Sequence, residues 1–408
     1  MKILAVINNV WPPPVEITGV SIIYECQKKL ANLGLEVHIL TSVGLWDKDS
    51  QKHVEKNLQK IHSWIDTQKI NYDFKFHTYN MSWLENFPKL AFILNRIITF
   101  FCVIYLNFIY KYDVIHEYSS TPVLLYRSYF LSLITKTKHV HTLIAETPFF
   151  FGSYKWVRVF TPSIFKIICA NASIKNNFIK AGYNPKKLEV ITLGVNARKF
   201  DNKKFDKELL LKKYALPQDV KVVLFLAPIE PHKGPEIFIK GAVHALKRWG
   251  QKKNLLFLVA TYKSPGKIPY EQRKQDFISK ANGFRKHFKI IEGKHNVPEL
   301  MAMSDLVCFP QVSTDGATGH PVTLLEAMSA KCLVLASDLA GLTEVVEHNK
   351  TGFLFKNKDY EDMGNKLLEA INSKNKSEIV EKAYKEIYDK YNIDIVAEKI
   401  VKVYESNK

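Results

Sequence analysis

The feature that most constrains this chain is an alternation, met twice, of short β-rich apolar runs with helix-like stretches. In the first half, ILAVIN precedes SIIYECQKKLANLG, whose apolar residues recur at helical spacing and which stops at Gly34. EVHILTS, DFKFHTY, an apolar helix, DVIHEYS, a helix around Pro122–Ile134, KHVHTLI, KIICAN and LEVITLG continue the series. The chain then turns polar around Val195–Asp206 (NARKFDNKKFD), which reads as a linker. The pattern restarts with VKVVLFLA, EIFIKGAVHALKRW, NLLFLVAT, FKIIEG, VPELMAMS, DLVCFP, CLVLAS, LTEVVEH and TGFLF, and the chain is amphipathic and helical from Tyr360 onward. Short β-rich runs separated by helices form parallel sheets covered on both faces. The expected fold is α/β, two doubly wound units with a ligand cleft at the carboxyl ends of their strands.

A length of 408 residues suffices for two such domains, each with its own core. The net charge of +18 predicts attraction to something anionic, with a lysine-rich proteome as the blander account. The lysines are scattered and form no long basic run, which argues against a nucleic-acid module. Five cysteines (Cys26, Cys102, Cys169, Cys308, Cys332) lie far apart, with no CxxC and no Cys/His cluster at metal-ligand spacing. That pattern suits a reduced, cytoplasmic chain without structural zinc. MKILAVINNVWPPP is broken by proline too early for a signal peptide. Residues Leu90–Tyr110 are nearly all apolar, with one charge at Arg96. Three readings stay open for that helix: docked on a membrane surface, buried in a core or dimer interface, or spanning a bilayer.

Three loops carry candidate chemistry. DGATGHPVTLLEAMSAK (Asp315–Lys331) leaves the strand DLVCFP through small residues and enters a helix near Pro321. Amide groups at a helix start carry the positive end of the macrodipole, so a phosphate fits there. Glu326, early on the helix, offers acceptors for two neighbouring hydroxyls such as a ribose diol. The alternative is an ordinary turn with a solvent-facing glutamate. LAPIEPHKG presents Lys233, a point charge for a diphosphate or else a solvated surface lysine. PPPVEITGVS sets Gly19 at a strand–helix junction where the backbone could approach a ligand closely, and KHVHTLI puts His139 and His141 on one face of a strand, where one could point into the cleft or both be structural.

These residues carry a family resemblance. TGVSIIYECQKKLANLGLEVHILTS, YDVIHEYSS, ICANASIKNNFIKAGYNPKKLEVITLGVNARKF, PHKG, VPELMAMSDLVCFP, GHPVTLLEAMSAK and LVLASDLAGLTEVVEHNKTGFLF occur in an order that is similar to the retaining GT-B glycosyltransferases of sequence family 4. The resemblance implies two Rossmann-like domains, an acceptor-side domain over 1–198 and a nucleotide-sugar-binding domain over 199–385. A helix over 386–408 is expected to cross back to the first domain. It also implies transfer of a sugar from a nucleotide-diphosphate sugar to a saccharide or lipid-linked acceptor, with retention and without a metal or other cofactor.

By matching position, Glu326 resembles the ribose-holding glutamate, and the stretch Thr318, Gly319, His320, Pro321, Val322 and Thr323 resembles the diphosphate cradle. Lys233 is similar to the phosphate lysine, Gly19 to the second glycine of the N-terminal loop, and His141 to the active-site histidine. Two departures stand out: Thr318 occupies the place of a second glutamate, and Pro228 that of a basic residue. They leave two alternatives, a non-catalytic GT-B protein that binds a nucleotide or partner, and another GT-B enzyme such as a sugar-nucleotide epimerase. The charge and the helix Leu90–Tyr110 add the expectation of a peripheral position on the inner face of the cell membrane, with no nucleic-acid partner.

Overall fold

The computed structural model describes residues 1–7, 18–43, 74–80, 88–145, 159, 162–201, 204–250, 254–264, 268–293, 295–313 and 321–407. The chain divides into two units, one of Met1–Gly194 with Ile393–Lys408, the other of Val195–Asp315 with His320–Asn392.

The first unit contains β1 (Lys2–Val6), α1 (Thr18–Asn32), β2 (Glu36–Val43), β3 (Phe74–Asn80), α2 (Pro88–Tyr110), β4 (Val114–Ser119), α3 (Leu125–Thr135), β5 (Lys138–Leu143), β6 (Lys166–Cys169), α4 (Ala172–Lys180) and β7 (Leu188–Val190). Its seven strands are parallel, in the order β3-β2-β1-β4-β5-β6-β7. All six residues of β4 are buried, as a strand covered by helices on both faces requires. Local signals set the helix ends; the Asn171 side chain, for example, accepts from the Ile174 amide at 2.8 Å and starts α4.

The second unit contains α5 (Lys207–Lys213), β8 (Lys221–Leu226), α6 (Pro235–Trp249), β9 (Leu255–Thr261), α7 (Tyr270–Ser279), β10 (Phe288–Glu292), α8 (Val297–Ala302), β11 (Leu306–Phe309), α9 (Val322–Ser329), β12 (Leu333–Ser337), β13 (Phe353–Phe355), α10 (Tyr360–Asn372) and α11 (Lys376–Glu386). Its six parallel strands run β10-β9-β8-β11-β12-β13. Two apolar layers sandwich this sheet, one built on Leu224, Leu258 and Leu324, the other on Phe225, Phe238 and Phe257.

The last helix, α12 (Ile393–Glu405), belongs to the first unit. It packs along α1, where Lys29 pairs with Asp394 at 2.6 Å, and Tyr404 Oη meets His116 Nδ1 at 2.6 Å. Both unit boundaries differ from the expected 198/199 and 385/386. Val195 and Phe200 are buried in the second unit's core, so the turn-prone stretch expected as a linker is part of that unit. At the other end α11 runs on into a π turn over Ile387–Tyr391, and Ile387 is fully buried in the same core. Of the cysteines, Cys26, Cys169, Cys308 and Cys332 are buried and Cys102 is partly so, all as free thiols.

Candidate functional site

In the second unit the strand order reverses between β8 and β11: β9 and β10 continue to one side, β12 and β13 to the other. Such a reversal sends the two following helices to opposite faces and opens a crevice beyond the carboxyl ends of the adjacent strands. Two of the three loops singled out in the sequence leave these two strands.

After β8 the chain makes a 3₁₀ turn, Pro231–Lys233, and Gly234 takes a left-handed φ of 71° before α6 begins. Any side chain there would meet backbone, since a Cβ on Gly234 would lie 1.6 Å from the Pro310 carbonyl oxygen. The loop is thus pressed directly onto the residues that follow β11. The Val312 amide donates to the His232 carbonyl at 3.1 Å. The Ser337 hydroxyl donates to the Gln311 carbonyl at 2.6 Å, and Asn357 Nδ2 donates to the Val312 carbonyl at 3.4 Å. These contacts build a stiff frame at the switch point from elements far apart in sequence.

Lys233 is partly buried on this frame. Burial pushes its ammonium below the ordinary lysine range, against the pull of the nearby Glu230 carboxylate. It is therefore not the solvated surface lysine that the sequence left open. The Arg273 guanidinium, from α7, also lies against the loop, but it donates to the Ile229 carbonyl at 2.7 Å and the Ser264 carbonyl at 2.5 Å. It anchors the loop and does not replace the base missing at Pro228. Pro228 itself offers a carbonyl, which accepts from the Glu230 amide at 2.8 Å.

On the β11 side, Pro321 stands at the N-cap of α9, and among the described residues no side chain caps that helix start. Val322 is buried and Thr323 partly exposed. Glu326 is only 8% exposed, which excludes the solvent-facing alternative. Thr318, Gly319 and His320 lie outside the described residues.

Gly19 sits in the first turn of α1, which follows β1. Here too the strand order reverses, between β1 and β4. His141 is placed differently from the expectation that it faces a ligand. It is fully buried on β5, with the Ser119 hydroxyl 2.7 Å from Nε2 and the Ser128 hydroxyl 2.7 Å from Nδ1. Ser128 donates onward to Glu117, which also takes a 2.6 Å hydrogen bond from Arg127 Nε. Desolvation pushes His141 down to about 4, so the ring is neutral at physiological pH. Both nitrogens are spent on this buried network, because β5 is a central strand whose face is covered by α3. His139, on the same face, is likewise fully buried and contacts Thr135. Glu117, Arg127 and Ser128 escaped the sequence reading. The available signal was a carboxylate inside the wholly buried strand VIHEYS, which demands a partner. Among the described residues no group of three His, Cys, Asp or Glu side chains converges as metal ligands would.

Comparison with known proteins now bears on this geometry. The profile of the family described as glycosyl transferases group 1 matches residues 206–405. The chain is a GT-B glycosyltransferase whose residues 206–405 carry that family's profile. This glycosyltransferase is 24% identical over 305 residues to the UDP-Gal:alpha-D-GlcNAc-diphosphoundecaprenol alpha-1,3-galactosyltransferase of Escherichia coli, covering 72% of this chain and 75% of that one. Anabaena HepE, solved in complex with UDP and glucose, superposes with a TM-score of 0.74 at 17% identity, covering 100% of both chains. A glycosyltransferase from Rickettsia africae superposes with a TM-score of 0.75 at 19% identity, covering 99% of this chain and 97% of that one.

Proposed function

We propose that this glycosyltransferase moves a hexosyl-type sugar from a nucleotide-diphosphate sugar to a saccharide or lipid-linked acceptor, with retention of configuration, on the cytoplasmic side of a membrane. The observation that carries the reading is the pair of loops from adjacent strands at the second unit's switch point. One supplies Lys233, the other the uncapped start of α9 with Glu326 behind it. A diphosphate is matched by one cation and a helix amino terminus, and a ribose diol by a carboxylate. UDP in HepE and the lipid diphosphate acceptor of the Escherichia coli relative support the donor and acceptor classes.

In this reading the bond from the anomeric carbon to the leaving phosphate oxygen breaks as the acceptor oxygen bonds to the same face. The acceptor proton passes to the departing diphosphate. Lys233 and the α9 dipole stabilise the negative charge that develops there, and charge placed in advance is the usual main catalytic term. No metal is invoked. His141 holds β4, β5 and α3 together within the first unit.

A second reading, a GT-B protein that binds a nucleotide without turnover, draws on Pro228, where no cation stands. A thermal-shift screen with UDP, GDP, ADP and their sugars decides the donor, since a ligand of the folded state raises the melting temperature. Sugar transfer or nucleotide-sugar hydrolysis that disappears in Lys233→Ala and Glu326→Ala excludes the second reading, and mass detection of an isomerised sugar would indicate an epimerase. A shift with no nucleotide at all would sink the donor assignment.

A further inference from the structure

Helix α2 has two faces, and both are apolar. One face, with Asn95, Thr99, Val103 and Leu106, is buried against the sheet and joins the core of Leu4, Val6 and Ile115. The other presents Ile93, Ile97, Phe101, Tyr105 and Phe108, with Phe101 63%, Tyr105 64% and Phe108 81% exposed. Only 22% of the stretch Ile93–Tyr110 is buried, which is not how a core helix sits. The neighbouring helix extends this surface. Arg96 lies beside Tyr126 near the start of α3, and Thr137 hydrogen-bonds Asn107 just past its end, so α2 and α3 run side by side in the same direction. Helix α3 adds Phe130, Leu133 and Ile134, each about half exposed. Contiguous apolar patches of this kind mark a binding surface.

The charges around the patch indicate its occupant. Neither helix contains an acidic residue. Exposed lysines stand just beyond both carboxyl ends, Lys111 and Lys136, and the Lys2 and Lys75 ammonium groups lie 5.9 and 5.5 Å from the Tyr110 ring centre. Glu36, 3.2 Å from the Lys2 ammonium, and the exposed Asp113 offset part of this charge, but four lysines against two carboxylates leave a cationic excess that suits a negatively charged surface. A second copy seated here would bring positive charge against positive. Spanning is excluded by the topology: α2 leads into β4, and its buried stripe is part of the sheet's core. Exposed aromatic and aliphatic residues beside a lysine rim describe a surface that lies in the headgroup region.

We infer that the outer face of α2 and α3 docks this glycosyltransferase onto an anionic phospholipid bilayer. The inference deepens the proposed function by naming the surface on which a lipid-linked acceptor is met, and it rests on that reading only for this consequence. The test is flotation of the full chain with phosphatidylcholine vesicles, without and with about a third phosphatidylglycerol. No nucleotide sugar is present, so failure to dock and failure to transfer sugar are read separately. Docking predicts flotation with the anionic vesicles that weakens with salt. Phe101→Ser with Phe108→Ser should reduce partitioning by about tenfold or more, with an unchanged circular dichroism melt because both side chains are exposed. Lys111→Asn with Lys136→Asn should reduce it roughly fivefold per charge on anionic vesicles alone; asparagine tolerates the left-handed backbone at both positions. No flotation, or flotation that neither pair alters, would overturn the inference. So would a dimer abolished by the phenylalanine pair without vesicle binding, an outcome that assigns the face to a second copy.

Discussion

Replacing Arg127 by methionine would leave Glu117 fully buried without the cation that faces it. Arg127 is 2% exposed and Glu117 0%, with Nε and Oε1 2.6 Å apart, so neither charge can escape to water without moving the strand or the helix. Breaking a pair of this kind costs about 3–5 kcal/mol, mostly as the penalty on the charge left behind. In the native chain burial opposes ionisation of Glu117, but Arg127, His141 and the Ser128 hydroxyl together hold its carboxyl below the ordinary value of 4.5. Its contribution to stability is therefore present above the unfolded value and is lost as pH falls through the lower folded one. In Arg127→Met the sign reverses. Burial then dominates and raises the carboxyl, and His141 loses the repulsion of Arg127, so the folded variant takes up a proton more readily than the unfolded chain. The deficit should be largest at neutral pH and shrink on mild acidification. Urea unfolding followed by circular dichroism at the two pH values measures it. Adding Glu117→Gln should restore most of the loss, because it removes the orphaned charge. A loss below about 1 kcal/mol, the scale of an exposed pair, would refute the reasoning. A double variant as unstable as the single one would do the same.

Lys233→Ala should weaken nucleotide binding by about 1.5–3 kcal/mol, the worth of a charge-assisted bond, with little change in the melting temperature of the free protein. Because burial already lowers the Lys233 ammonium, nucleotide affinity should decline on moving from neutral to alkaline pH earlier than an ordinary lysine would dictate, as read by titration calorimetry. Gly234→Ala should destabilise by more than the 1–2 kcal/mol typical of a left-handed alanine, about the least expected, because its Cβ has no room beside Pro310, and donor binding should fall with it. Arg273→Ala releases the Ile229 and Ser264 carbonyls; a rise in donor KM larger than any fall in kcat, with partial rescue by Arg273→Lys, would mark it as a positioning residue.

The sequence by itself determined the class of fold and the strands from which the candidate loops leave. Apolar runs of strand length, helices between them and the turn residues of PHKG and DGATGHP are all near-neighbour information, and they already placed Lys233 and Glu326 after strands. It also exposed α2 as unusual, since so apolar a helix must be covered by something. Only the tertiary structure decided which strands lie side by side. That β8 neighbours β11 is a long-range pairing, Leu306 against Val223, and it brings the two loops together. Burial was decided there as well. Strand alternation placed His139 and His141 on one face but could not tell that α3 covers it, so a candidate ligand-facing histidine became the middle of a buried network with Glu117 and Arg127. The unit boundaries moved for the same reason. Phe200 sits in polar, turn-prone sequence and Ile387 in an amphipathic helical stretch, yet each fills a place in the second unit's core. Solvent exposure of α2 likewise follows from what packs beside it, because an apolar side chain in the sequence does not say whether protein, lipid or a second chain will take it out of water.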